Sequence, residues 1–334
     1  MHTETFIYDL KNDNWNVDEF PKLDSQQTLV LIFGASEFFD NYQVIQDLIK
    51  HYPSSHILGC STAGEIHNQH ILDNSLTVSV TRFDHTSMKH LSVPISTPEE
   101  VEKAISEIAN QLATPDLQGI FMLGSGLDVN FASIVREIQK SLGQDIPITG
   151  GVSGDGSRFE RTWVLHDGKP TENMLTLVGF YGEAINIGYG SKGGWQPSGV
   201  PMMITKAKDN ILYELNGRSA LQWYKFQLRK YDVQLPAAAL FFPLAIRQSV
   251  NDKNYIVRTI LNIDEETGGL IFAGEIKERF FAHFMTATTK QLINGAQSAA
   301  RDIDMNKIIS SKPLSIAVSC VGRRLVLEEN VTIR

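Results

Sequence analysis

The sequence predicts an α/β fold built from repeated strand–helix–strand units, with mixed parallel and antiparallel sheets in two closely packed sub-domains. Three observations predict it. TLVLIFGAS (28–36) is a short apolar run ending in glycine, followed by helical spacing and a second run, HILGCSTAGEI (56–66). The same order returns in GIFMLGSG (119–126) and IPITGGVSGDG (146–156). Gly34 to Gly59 is 25 residues and Gly124 to Gly150 is 26. The repeat offset is therefore about ninety residues, which marks an internal duplication. A chain of 334 residues is long enough for roughly two domains.

The elements follow in order. Phe39, Tyr42, Ile45, Leu48, Ile49 and Tyr52 recur at three- and four-residue spacing after Ser36, and Pro53 closes that helix. A helix there directs the positive end of its dipole at the first loop. LTVSVTRF and the LSVPI run (76–95) read as paired strands. Val101, Ile105, Ile108 and Leu112 make one face of a helix over 98–112. Phe131, Ile134, Val135, Ile138 and Leu142 make another, with Gly143 as its C-cap. TWVLHDGKP turns at Asp167-Gly168, and MLTLVGFYG and AINIGYGSKGG continue as strands. A helix is expected over 218–231, strands in FFPLAI, YIVRTIL and GLIFAGEI, an Ala-rich helix over 288–303 and a buried strand in LSIAVSC (314–320). The domain boundary is placed near Leu215, giving regions 28–214 and 215–334.

A strand–helix–strand unit of this length is a right-handed crossover between parallel strands, which puts both strand C-termini at one edge. The GAS, GCSTAGE, GSG and GGVSGDG loops then open together, where open α/β sheets bind ligands. Glycine admits a ligand close to the backbone, and successive N–H groups make an anion nest.

Composition narrows the function. Net charge is -8, against the basic surface that nucleic acid or an anionic membrane requires. Two cysteines, Cys60 and Cys320, form no CxxC, so no zinc knuckle or thioredoxin motif is encoded. The N-terminus is polar, unlike a signal peptide. The longest apolar stretch, 236–246, is about half a membrane span. A soluble, cytoplasmic protein without nucleic-acid binding or membrane insertion is expected.

Cys60 is either a thiolate nucleophile, needing a histidine base that the sequence does not assign, or a small buried residue in a turn. Glu65 and Asp155 follow glycine at matching places in the two repeats. They either bind a ligand ammonium or cap loop N–H groups. Ser61, Thr62, Gly64, Gly151 and Ser153 complete the candidate ligand-binding set. Arg158, three residues after Asp155, could clamp a carboxylate. GYGSKGG matches GxGxxG, but Gly194-Trp195-Gln196-Pro197 follows where a dinucleotide fingerprint needs a helix. Trp195 covers a ligand or packs. His67 with His70, and His283, are the candidates for haem ligation, against plain solvated or packed histidines.

GCSTAGEI, ITGGVSGDG, GGW, NGRSALQWY, FFPLAI, VRTI, FAGEI and SCVGRR, in this order, resemble the FIST domain over roughly Leu29 to the end. The resemblance implies a bacterial-type sensory module with N- and C-terminal parts and no catalytic residues. It would bind small ligands, amino acids among them, and act with a histidine kinase or a cyclic-dinucleotide signalling enzyme. It also implies haem as a candidate cofactor, through similarity to a nitric-oxide-sensing branch. Relative to that family, the C-terminal end is expected to be shortened after SCVGRR.

Overall fold

A computed structural model describes residues 1–127, 130–143, 146–229, 235–304 and 313–327. It divides into two compact units. The first comprises Met1–Tyr189 with 313–319, and the second Gly190–Ile303 with 320–327.

The first unit contains two strand–helix–strand units, and both are parallel as their lengths require. In the first repeat β3 (Thr28–Gly34) pairs in parallel with β4 (His56–Ser61). In the second, β9 (Leu117–Gly124) pairs in parallel with β10 (Ile148–Val152). The two pairs belong to different sheets. β1 (His2–Asp9), β2 (Asn14–Trp15), β7 (Ser75–Arg82), β11 (Val164–His166) and β12 (Lys169–Thr171) extend the first pair into the order β12-β11-β4-β3-β7-β1-β2. β8 (Ser87–Pro94) and β13 (Met174–Tyr181) extend the second into β10-β9-β13-β8. A small hairpin, β5 (Glu65–His67) with β6 (His70–Leu72), stands apart. β7 and β8 are thus strands as expected but are not paired with each other. β7 lies between β1 and β3, while β8 pairs with β13.

Side-chain parity explains the layering. Leu29 and Leu31 of β3, Leu58 and Cys60 of β4, and Phe121 and Leu123 of β9 form one core between the two sheets. The alternate residues Val30 and Ile32 join Phe38, Ile45, Leu48 and Trp163 on the outer face of the larger sheet. Ile120 and Met122 join Ile108 and Ile134 on the outer face of the smaller one. β3 and β9 are buried on both faces, which is why they read as unbroken apolar runs rather than alternating ones; β10 is half-buried and ends on exposed Val152.

The helices differ in quality. α2 (Pro98–Leu112) starts on a capping box from Thr97 and Glu100. α3 (Phe131–Leu142) ends on Gly143 in the left-handed conformation. The helix expected after Ser36 is instead a 3-10 turn, Ser36–Phe39, then α1 (Gln43–Ile49), whose N-cap Tyr42 makes no side-chain cap bond. The dipole argument for the first loop falls with it.

The second unit is mostly antiparallel. β15 (Met202–Lys208), β16 (Ile211–Leu215), β18 (Leu244–Arg247), β19 (Ile256–Arg258), β20 (Ile260–Asp264), β21 (Gly269–Phe272) and β22 (Phe281–Thr286) run in the order β19-β18-β22-β15-β16-β21-β20. β14 (Gln196–Pro197) pairs with β22 and β17 (Arg218–Ser219) with β16. α4 (Ala220–Leu228) packs Leu221, Tyr224 and Leu228 on this sheet, and the helix end expected at Tyr231 lies outside the described residues. α5 (Thr289–Arg301) opens on a capping box at Thr288, and α6 (Val321–Leu327) follows later. Trp195 packs with Ala245, Met285 and Leu292, donating its Nε1–H to the Phe241 carbonyl at 3.0 Å. AINIGYGSKGG and LSIAVSC form no ladder. The latter is mostly exposed, with Val318 at 60%.

At the end of β4 away from its glycines, three histidines meet between the sheets. The His56 and His90 rings stand edge to face at 6.5 Å, and His90 Nε2 lies 2.9 Å from the Thr176 hydroxyl. His166 Nδ1 lies 3.0 Å from the Ser92 hydroxyl. Burial, helped by the neighbouring His56, pulls His90 down to about 4. Folded His90 takes a proton less readily than unfolded His90, so acid favours unfolding from 6.5 down through about 4. Urea titrations at about pH 5 and about pH 7 should show the His90 term as a difference: on acidification the wild type should lose more stability than His90→Gln, whatever the raised carboxyl groups elsewhere add to both. An equal loss in both proteins would contradict this account.

Candidate functional site

The four glycine loops meet at one edge of the first unit, joined through their main chains. The Thr62 N–H donates to the Gly34 carbonyl at 2.8 Å, and the Gly154 N–H to the Ser61 carbonyl at 2.9 Å. The Ser153 N–H donates to the Gly124 carbonyl at 2.8 Å, and the Gly126 N–H to the Ser153 hydroxyl at 3.0 Å. Loops from both sheets are therefore stitched into a continuous rim. Two glycines make this approach possible. Gly150 has φ 135°, and a methyl there would strike the Met122 carbonyl; one on Gly126 would strike the Ser153 carbonyl.

Trp163 anchors the rim from below. It is fully buried, takes the Ser61 hydroxyl with its N–H at 3.0 Å, and donates Nε1–H to the Ala35 carbonyl at 3.1 Å. Neither Trp163 nor Ser75 stands out in the sequence, because each lies outside the glycine motifs it supports.

Glu65 and Asp155 occupy matching sequence positions but do different work. Asp155 is buried and accepts from the N–H groups of Phe159, Glu160 and Arg161 at 3.1, 2.7 and 3.1 Å. It caps its own loop, which is the ordinary use of such a residue. Glu65 is 1% exposed and reaches between elements. One oxygen accepts from the Thr62 hydroxyl at 2.7 Å; the other accepts from the Ser75 hydroxyl at 2.7 Å and the Ser75 N–H at 3.3 Å. Burial pushes its carboxyl up to about 7, against the lowering effect of those hydrogen bonds and with a small rise from Asp73.

The remaining candidates divide between buried and accessible. Ser61, Ser153 and Cys60 are buried; Thr62, Gly64 and Gly151 are half-buried. Arg158 is exposed at the rim, with one N–H on the Ser36 hydroxyl and Nη1 3.2 Å from Glu37. Arg161 pairs with Asp40 and lies over the Phe39 ring.

Cys60 belongs to β4 rather than to the loop, and strand alternation turns its thiol into the core between the sheets. Burial pushes that thiol up to about 12, the reverse of what a thiolate nucleophile needs.

The haem candidates lie in strands rather than in the glycine loops. His67 and His70 face each other across the β5–β6 hairpin, with His67 Nε2 3.4 Å from the Thr5 hydroxyl. His283 lies in strand β22. Its Nδ1 takes a hydrogen bond from Arg247 at 3.0 Å and its Nε2 donates to the Gly199 carbonyl at 2.9 Å. Both ring nitrogens are engaged. Among the described residues, no group of three His, Cys, Asp or Glu side chains is placed to hold a metal.

A family model for the FIST N domain matches residues 28–218, and one for the FIST C domain matches 220–333. The chain belongs to the FIST family. FIST domains are sensory signal-transduction domains that bind small ligands. An uncharacterized protein of Methanocaldococcus jannaschii is 24% identical over 310 residues. That match covers 85% of this chain and spans 58% of the relative's length. No described helix of this FIST protein is long and apolar enough to cross a membrane.

Two measurements check the site. Iodoacetamide at neutral pH should modify exposed Cys320 and leave Cys60 untouched until the chain is unfolded. Native labelling of Cys60 would contradict its placement in the core. Gly150→Ala should lower stability by at least about 2 kcal/mol, read by denaturant unfolding, since it combines a strained φ with a backbone clash.

Proposed function

We propose that this chain is a non-enzymatic ligand-sensing module. Its glycine-rich rim binds a small polar or anionic metabolite of amino-acid type, and the change passes to a separate output polypeptide. A histidine kinase or cyclic-dinucleotide enzyme is the class of partner that the FIST family suggests.

The observation that carries this reading is the convergence of four loops from two sheets on one hydrogen-bonded rim. A ligand touching any of the loops acts on both sheets at once. Glu65, Asp155, Ser61 and Ser153 are engaged in holding the rim. Direct recognition is therefore assigned to the accessible remainder: Thr62, Gly64, Gly151 and Arg158. Arg158 supplies a planar cation suited to a carboxylate, with Glu37 as the group to be exchanged.

A thermal-shift screen of amino acids and small carboxylates tests this. At least one compound should raise the melting temperature, and Arg158→Ala should weaken its binding by about tenfold or more without unfolding the protein. If no compound stabilises the protein, or the variant binds as tightly, this reading is wrong.

A further inference from the structure

We infer that Glu65 is a proton-operated pin for the glycine-rich rim: protonated it holds the loops closed, and ionised it lets them open. This rests on the ligand-binding reading above and adds a regulation to that site.

The geometry makes Glu65 a junction. Through Thr62 it holds the second loop, whose N–H in turn bonds the Gly34 carbonyl of the first. Through Ser75 it holds the start of β7, whose carbonyl accepts from the Ala35 N–H. Two loops and a strand therefore share one carboxyl group.

The surroundings make its charge expensive. The groups facing it are the Thr62 hydroxyl, the Ser75 hydroxyl and N–H, and the Asp73 carboxylate. In the same hairpin, His67 turns to Thr5 of β1. Among the described residues Glu65 forms no ion pair, and the rim's guanidiniums are taken by Glu37 and Asp40. A desolvated carboxylate without a cation is relieved either by taking a proton or by admitting water. Protonation preserves the closed rim, since a carboxylic acid can donate to the Thr62 oxygen 2.7 Å away. Ionisation favours an opening that hydrates the group.

The direction follows from linkage. Folding raises the Glu65 carboxyl from 4.5 to about 7, so the closed rim holds a proton that the open rim releases. Rim opening should therefore grow as pH rises through that window. A ligand that binds one of the two states must take up or release a proton as it binds.

Hydrogen exchange of the whole chain tests the pin without any ligand. Protection factors for the Ala35, Thr62 and Ser75 amides, corrected for intrinsic exchange, should fall about tenfold from about pH 6 to about pH 8. In Glu65→Gln the same factors should be flat with pH. Infrared difference spectra over this range should show a protonated-carboxyl band that Glu65→Gln lacks. Thr62→Val, which removes one donor to the carboxylate, should move the midpoint upward, and this serves if the glutamine variant does not fold. Flat factors in the wild type, an unchanged slope in Glu65→Gln, or an unmoved midpoint in Thr62→Val would each overturn the inference. A failed ligand screen alongside a pH-dependent rim would instead count against the ligand reading alone.

Discussion

Three hydrogen bonds on Ser61 hold the first unit together. The residue is fully buried at the end of β4. Its N–H donates to the Trp163 carbonyl, its hydroxyl accepts the Trp163 N–H, and its carbonyl accepts the Gly154 N–H. The first two bonds extend the larger sheet past its last regular pairing with β11. The third crosses to the loop that follows β10 in the other sheet. Burying a polar side chain is unfavourable unless its groups are satisfied, and here the hydroxyl and both main-chain groups are.

A second consequence concerns how a repeat diverges. Glu65 and Asp155 begin from the same sequence logic, a carboxylate after glycine. Asp155 is short and folds back on the N–H groups four to six residues ahead. Glu65 is one methylene longer and reaches across to Ser75 on another strand. One carboxylate became a local cap and the other a tie between elements, so the duplicated loops are not interchangeable.

Much of this was legible in advance. The two parallel units were readable because the first strand of each, β3 and β9, is buried on both faces, carries an unbroken apolar run and ends in glycine. α2, α3 and α5 were readable from periodicity and end signals such as Gly143. The sharing-out of the repeats between two sheets was not, because nothing local in LTVSVTRF tells β7 to join β3 rather than β8. β1 escaped notice since only Phe6 and Tyr8 are buried in a strand whose first four residues are polar. LSIAVSC misled for the opposite reason, having the composition of a buried strand without a partner ladder. Within the site, the loops were found, and loop capping by Asp155 and burial of Cys60 were each one of two readings offered, but the reach of Glu65 to Ser75 was not among them. Cys60 and Ser61 alternate within a strand, and that parity, rather than the glycine motif, decides which of them faces the core.

The interleaved division of the chain bears on how such modules can be recombined. Residues 190–218 belong with the N-terminal part by sequence matching, yet β14, β15, β16 and β17 pack into the second unit. Residues 313–319 do the reverse, matching the C-terminal part while packing with the first unit. A chimaera spliced at the family-model seam would carry four strands away from the sheet they complete. Exchanging sensory halves between relatives calls for crossover points at Tyr189/Gly190, with the 313–319 ribbon travelling alongside the N-terminal donor.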